Sequence, residues 1–262
     1  GSGEMAVDVA LGKIDSVDLF RMGSAFGGEG LFAGAIDYWY KFLNTGFRLP
    51  ASAGTDKMTN AMLLGSMRTY AHLGEKKLTY RAWAEAIRLG KSMITTGPMI
   101  SFSANGQGIG SVLNLETGDE ILLEAEVNAP HDRFQWDRFE IVQNGQVIAS
   151  HTNVNKKNVE KLSIRVMVNQ SSWFAVRVYD SKGIAMPESG DNKAPPMAHT
   201  SPIYVDIPGS KLWSNEDAAF LAAECDKAIA WARNTARYHT DEQRQEVISL
   251  YQKARAIFDY VL

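Results

Sequence analysis

A single cysteine, Cys225, stands in this chain of 262 residues, so no intrachain disulfide can form and a disulfide-stapled scaffold is excluded. Its helical surroundings make Cys225 a small core side chain. Also missing is any run of about 18 apolar residues, which excludes a membrane-spanning helix, and no signal peptide opens the sequence. Charge of one sign is lacking too: the net charge is -3. Lys76-Lys77 and Lys156-Lys157 are isolated pairs on solvated turns, so no electrostatic footprint of a nucleic-acid binder exists. No His-x-His motif and no Cys/His cluster precedes residue 56. The glycines Gly23, Gly27, Gly28 and Gly30 lack the Lys-Ser/Thr of a phosphate-binding loop and read as a mobile loop. No internal repeat of solenoid period is present.

What is present is ordinary globular composition, 45% hydrophobic and 22% charged, enough to bury a sizeable core without staples. Three textures follow one another. Residues 1–98 alternate strand and helix patterns: a strand at Ser16–Met22, a helix at Leu31–Asn44 stopped by Gly46, strands at Phe47–Ala53 and Met67–Leu73, a helix capped by Thr79 and ended by Gly90, and a strand at Ser92–Thr96. That alternation predicts parallel β/α units. Residues 99–208 have a period of two. Strands are expected at Glu120–Val127, Phe139–Gln143, Gln146–Ala149, Leu162–Val166, Trp173–Tyr179 and Ile203–Ile207, with Asn144-Gly145 as a type I′ hairpin turn. Short strands at this spacing predict a β-sandwich. The stretch from Gly183 to Pro202, rich in proline, is expected to be a long loop. Residues 209–262 predict an antiparallel helical hairpin, with Ser214 and Thr240 as N-caps and Thr240-Asp241-Glu242-Gln243 as a capping box.

Asp56 is the leading candidate for chemistry. Phe47–Ala53 reads as a buried strand ending in the turn Gly54-Thr55-Asp56, and strand-end carboxylates are where α/β barrels hold catalytic groups and metals. The competing structural role is an N-cap for a helix at Met58–Leu64. Of the acidic residues Asp8, Asp15 and Asp18, one could supply a second carboxylate near Asp56, although solvated or capping roles are commoner. His72 is the one histidine of the β/α segment, and a solitary histidine is more often structural than a ligand. His131, His151, His199 and His239 fall in loop-like stretches and carry no assigned role. No Ser-His-Asp arrangement can be argued.

Asp8–Asp15, Trp39–Asp56, Arg68-Thr69-Tyr70, Leu78–Trp83 and Ile94–Pro98, taken in that order, resemble the C-terminal half of the PHP-type metallohydrolases of the CehA/McbA group. The resemblance covers about residues 4 to 150. It implies a multidomain chain: a partial PHP-like β/α barrel, an immunoglobulin-like β-sandwich and a C-terminal helical hairpin. It further implies a divalent metal (zinc, iron or manganese) in the full-length protein, Asp56 as a late ligand, and hydrolysis of a small-molecule ester, carbamate or phosphoester by metal-activated water. Where PHP proteins often have Asp-x-His, this chain has Asp56-Lys57-Met58, and the early histidine ligands have no counterpart. The isolated chain is therefore expected to be inactive and to hold no metal by itself.

A truncated barrel exposes strand edges and apolar faces. Those edges are expected to be covered by a second copy in a homodimer, by swapping, or by the glycine-rich segment. The alternative function is a non-catalytic β-sandwich that recognises a carbohydrate or a protein through Trp136, Trp173 and Phe174. Outward-facing aromatics on the sandwich would favour it. Gly1-Ser2 is the pair a cloning scar leaves, and a signal peptide on a longer native chain would direct the protein to the periplasm or beyond.

Overall fold

A computed structural model describes residues 4–19, 34–186, 190 and 194–259. The glycine-rich stretch, the end of the Ser16–Met22 strand, the start of the Leu31–Asn44 helix and Val261 lie outside the described residues. The chain begins with α1 (Glu4–Ala10), β1 (Val17–Asp18), α2 (Ala35–Asn44), β2 (Ala51–Ser52), β3 (Arg68–Ala71), α3 (Tyr80–Arg88) and β4 (Ser92–Thr95). Strands β5 (Met99–Ala104), β6 (Gln107–Gly108), β7 (Val112–Asn114), β8 (Asp119–Asn128), β9 (Arg138–Gln143) and β10 (Gln146–Thr152) come next. They are followed by β11 (Val159–Val168), β12 (Ser172–Tyr179), β13 (Met197–Thr200), β14 (Ile203–Asp206), α4 (Asn215–Asn234) and α5 (Asp241–Ile257).

Two sheets form a sandwich. The inner sheet runs β10-β9-β12-β13-β4-β3, with β14 joining β12 to β7, and the outer sheet runs β11-β8-β5-β6. The period of two sets what faces what. Along β12, Phe174, Val176 and Val178 pack toward the outer sheet with Leu123, Trp136 and Phe139. Trp173 and Ala175 point the other way, into a second core with Trp39, Phe42, Leu221 and Tyr251 from the helices. The middle of the inner sheet is therefore buried on both faces, and β12 reads as an almost continuous buried run, as a strand between two layers must. On the outer sheet, β11 alternates between exposed and half-buried positions.

Local chemistry fixes the elements. Asn144 (φ 49°) and Gly145 (φ 86°) both take the left-handed conformation that the β9–β10 hairpin turn requires. Thr79, Ser214 and Thr240 each accept a hydrogen bond from the backbone three residues on, at Ala82, Asp217 and Gln243. Gln243 reaches back to the backbone N–H of His239, one residue before the cap, so the box closes around the turn between α4 and α5. Cys225 is fully buried between helices, where burial pushes its thiol up to about 12.

Three expectations are corrected. Among the described residues parallel pairing is confined to β1–β2 and β14–β7, whereas β3 and β4 are antiparallel to each other, so the described strands of the first segment do not close a barrel. Strand β4 hydrogen-bonds to β13, so the sandwich sheet runs straight into the segment before residue 98. The expected long loop from Gly183 to Pro202 contains β13, a central strand paired on both sides. Prolines at 195, 196 and 202 bracket it, where no ladder N–H is needed. No helix among the described residues is long and apolar enough to cross a membrane.

Candidate functional site

The turn carrying Asp56 is built from β1 and β2. They pair in parallel, Val17 with Ala51 and Asp18 with Ser52, so both strands end on the same side. The other edge of β2 is satisfied by hydroxyls. Ser92 donates to the Ala51 carbonyl, the Ala51 N–H donates to Ser201, and Thr69 serves both backbone groups of Ala53. Side chains thus complete a backbone that no third strand pairs with on that side among the described residues, as buried peptide groups demand. Thr55 then locks the turn, donating to the Met67 carbonyl and accepting from the Gly65 N–H.

Asp56 follows in a left-handed conformation (φ 48°) and is exposed. The predicted helix at Met58–Leu64 is a series of turns, so Asp56 has no helix there to cap. Lys57 holds those turns by donating to the carbonyls of Thr59 and Met62. Met58 is 75% exposed. His72 is exposed, just past the end of β3. Asp8 lies on α1, its carboxyl raised by partial burial and by Glu4. Among the described residues no three His, Cys, Asp or Glu side chains converge into a metal-holding group.

Beside the turn lies a hollow of about 580 Å³, lined by Asp18, Thr55, Leu64, Met67, Tyr80, Trp83 and Ile87 among others. Its rim is charged: Asp15 pairs with Arg88 at 3.1 Å, and Arg68 donates to the Gly65 carbonyl while its Nε is buried without a partner. Its apolar residues are unusually open for a soluble surface. Tyr80 is 84% exposed, Leu64 82% and Trp83 41%, and the Tyr80 and Trp83 rings lie 6.5 Å apart. Only Ala86 and Ile87 of α3 are buried, because the helix rests on the sheet by one narrow stripe.

The sandwich aromatics do the opposite. Trp136, Trp173 and Phe174 are all fully buried. Trp173 donates its indole N–H to Asn44 at 2.8 Å and Trp136 to the Ala129 carbonyl at 3.3 Å. They are core residues, so they do not form the outward-facing platform that the alternative reading would need.

A polar cluster that sequence reading missed lies between α2 and the inner sheet. Arg177 and Glu140, cross-strand neighbours on β12 and β9, form a buried ion pair at 2.7 Å. Tyr179 donates to Glu140 at 3.0 Å, and Arg177 reaches the Tyr40 hydroxyl at 3.5 Å. The Tyr40 hydroxyl lies 2.5 Å from His199 Nε2, and His199 Nδ1 lies 2.7 Å from the Thr200 carbonyl. A carbonyl can only accept, so Nδ1 carries the proton and Nε2 accepts from Tyr40. Burial lowers the imidazole to about 3 and raises the Tyr40 phenol to about 12, so the pair is neutral. With every partner inside the protein, this cluster clamps α2 to the sheet. The signal that could have found it was Arg177 in the otherwise apolar run Trp173–Tyr179, since a charge there requires a buried partner.

No protein-family model matches the sequence, and no curated protein matches it. Among solved structures, the chain is similar to the fibronectin(III)-like modules of Clostridium thermocellum CbhA, with 12% identity over 43% of this chain and 100% of that one, at a TM-score of 0.25. It is also similar to the CARDB domain of the PF1109 protein from Pyrococcus furiosus, solved in complex with di-metal ions, with 12% identity over 42% of this chain and 89% of that one, at a TM-score of 0.26. Likenesses this low assign no function. The class is defined by the chain's own strand pairing: a β-sandwich backed by helices, with a small α/β face appended.

Proposed function

We propose that this chain is a non-catalytic protein-binding module, a β-sandwich on an α/β scaffold whose docking surface is the hollow beside α3. The observation that carries it is the exposure of Tyr80, Leu64 and Trp83 around one concavity. Contiguous apolar surface rimmed by polar groups marks interaction sites, and tryptophan, tyrosine and arginine are the residues that dominate binding energy at protein interfaces. The fitting partner is a protein segment that inserts an aliphatic or aromatic anchor between α3 and the Thr55 turn, with polar groups for Arg68 and Arg88 at the rim. A carbohydrate partner is less well supported, since the sandwich aromatics are core.

The test is a photo-crosslinking residue at position 83, compared with one at Lys161 on the outer sheet, in the presence of the native cell extract and with the purified chain alone. A discrete protein adduct from position 83 that disappears with Tyr80→Asp is expected; its mass tells a second copy from another protein. Adducts forming equally at Lys161 would sink the reading.

A second reading rests on the shared carboxyl end of β1 and β2, from which Asp18 and the Asp56 turn both emerge. The PHP-type resemblance assigns a metal to that end. The described residues do not fit a metal unaided, since Asp56 has no convergent donors around it and Met58 is a poor ligand for a hard cation. In this reading the partner in the hollow is the early part of a metallohydrolase barrel, which supplies the remaining ligands. Elemental analysis of the purified complex and of its Asp56→Ala variant tests it: stoichiometric metal lost in the variant supports a ligand role, and equal metal in both refutes it.

A further inference from the structure

A second concavity, of about 720 Å³, opens where the chain just past α2, strand β14, the 208–214 linker and the end of α5 meet. We propose that it binds a neutral small molecule with an aromatic or alicyclic body and one carbonyl acceptor. Phe47, Tyr204, Leu212, Trp213 and Ile257 supply most of its apolar wall, and its volume is that of an ordinary ligand cleft.

The charged groups of the wall are already matched. Arg48 pairs with Asp206 at 2.5 Å. Lys211 is engaged as well, in part over the Trp213 ring at 4.3 Å. The wall therefore offers no surplus charge, and an ionic ligand would give up its water without gaining a counter-charge. An uncharged ligand has no such cost to meet.

The uncharged polar groups say what the ligand carries. The hydroxyls of Ser171 and Ser210 are engaged with backbone groups of the 207–210 turn and of Ser171 itself, and Ser172 is engaged with Gln143, Asn144 and Gln170. Tyr204 differs. The alternation of β14 turns Ile203 and Val205 toward the outer sheet and Tyr204 toward the helices, where it lines the concavity. It is 8% exposed, yet its hydroxyl has no hydrogen-bond partner among the described residues. The indole N–H of Trp213 has none among them either. A buried hydroxyl left unmet is costly, and a ligand atom in the concavity can satisfy it. An indole N–H only donates, and a phenol can donate, so the atom that suits both is an acceptor, as in a ketone.

No lining residue is shared with the α3 hollow, so the two proposals stand or fall separately. The experiment is isothermal titration of the purified chain with 4-phenyl-2-butanone and with 3-phenylpropionate, which puts a carboxylate where the ketone has its acetyl group. Saturable one-to-one binding of the ketone is expected, with the acid at least about tenfold weaker. Tyr204→Phe, which removes only the hydroxyl, should weaken the ketone about three- to tenfold. The same change should not lower the thermal midpoint of the ligand-free chain, because the hydroxyl it removes has no partner there. Ala256→Trp, which adds a ring to the α5 wall, should abolish binding. Absence of saturable binding, equal binding of acid and ketone, or unchanged ketone affinity in Tyr204→Phe would overturn the proposal. So would a lowered midpoint in Tyr204→Phe, which would mean that the hydroxyl is satisfied inside the protein.

Discussion

Trp173 and Trp83 sit in two regions that solve the same problem differently. Around Trp173 the inner sheet is covered by α2, α4 and α5, and the large side chains that face the sheet are packed, although Phe220 and Trp231 on the far side of α4 are exposed. Around Trp83 a single helix lies on the edge of the same sheet and leaves its aromatic face to solvent. The chain completes its own core where two layers meet and leaves it incomplete at the α3 end. What sets the α3 end apart is that Tyr80, Leu64 and Trp83 are exposed around one concavity.

The comparison breaks if both tryptophans prove equally important for stability. Trp173→Ala should cost about 3–5 kcal/mol, the range for deleting a buried aromatic, measured as a shift in urea midpoint at constant slope. Glu140→Ala should approach the same figure, since it strands the buried Arg177 charge, whereas a double Glu140→Met, Arg177→Met change should recover most of the loss.

A third, smaller effect sharpens the picture of the covered region. Burial holds His199 at about 3, below its ordinary 6.5. The unfolded chain therefore binds a proton that the folded chain refuses, and this contribution, fully present above about pH 6.5, is lost as pH falls toward the folded value. Between pH 6.5 and 5 about 2 kcal/mol should disappear, and His199→Gln should flatten that slope in denaturation curves taken across the range. Thr240→Ala, removing the cap of α5, should cost about 1 kcal/mol. At the bottom of the scale, Trp83→Ser should change the stability of the isolated chain by no more than about 0.5 kcal/mol. A loss comparable to Trp173→Ala would mean that the α3 face is core after all.

Much of the sandwich was legible because a strand buried on one side alternates, and Leu162–Val166 alternates in plain view. The caps were legible for a similar reason: Thr79, Ser214 and Thr240 act over three residues. Long-range structure was less so. Strand β13 hid among prolines, and His199 went with it, since only the pairing with β12 and β4 reveals that the residue is central. At Met58–Leu64 the backbone closes separate three-residue turns, Met62 N–H to Thr59 and Ser66 N–H to Leu63, in place of the predicted helix. At the candidate site, the strand expected over Phe47–Ala53 is only Ala51–Ser52, but a turn at Gly54-Thr55-Asp56 after a strand was readable. The hollow beside it was not, because Leu64, Tyr80 and Trp83 come from separate elements and their exposure is a property of the fold.

The threading of β13 between β12 and β4 also dictates an order of events during synthesis. Thr96 and Met197 exchange hydrogen bonds across 101 positions of sequence, so β4 emerges from the ribosome long before the strand that flanks it exists. Contacts that distant are slow to form and leave early segments open to misassociation. A nascent chain halted before residue 197 would present β4 with the edge that β13 later covers left unpaired. That arrested intermediate is the form in which this molecule would lean most heavily on a chaperone.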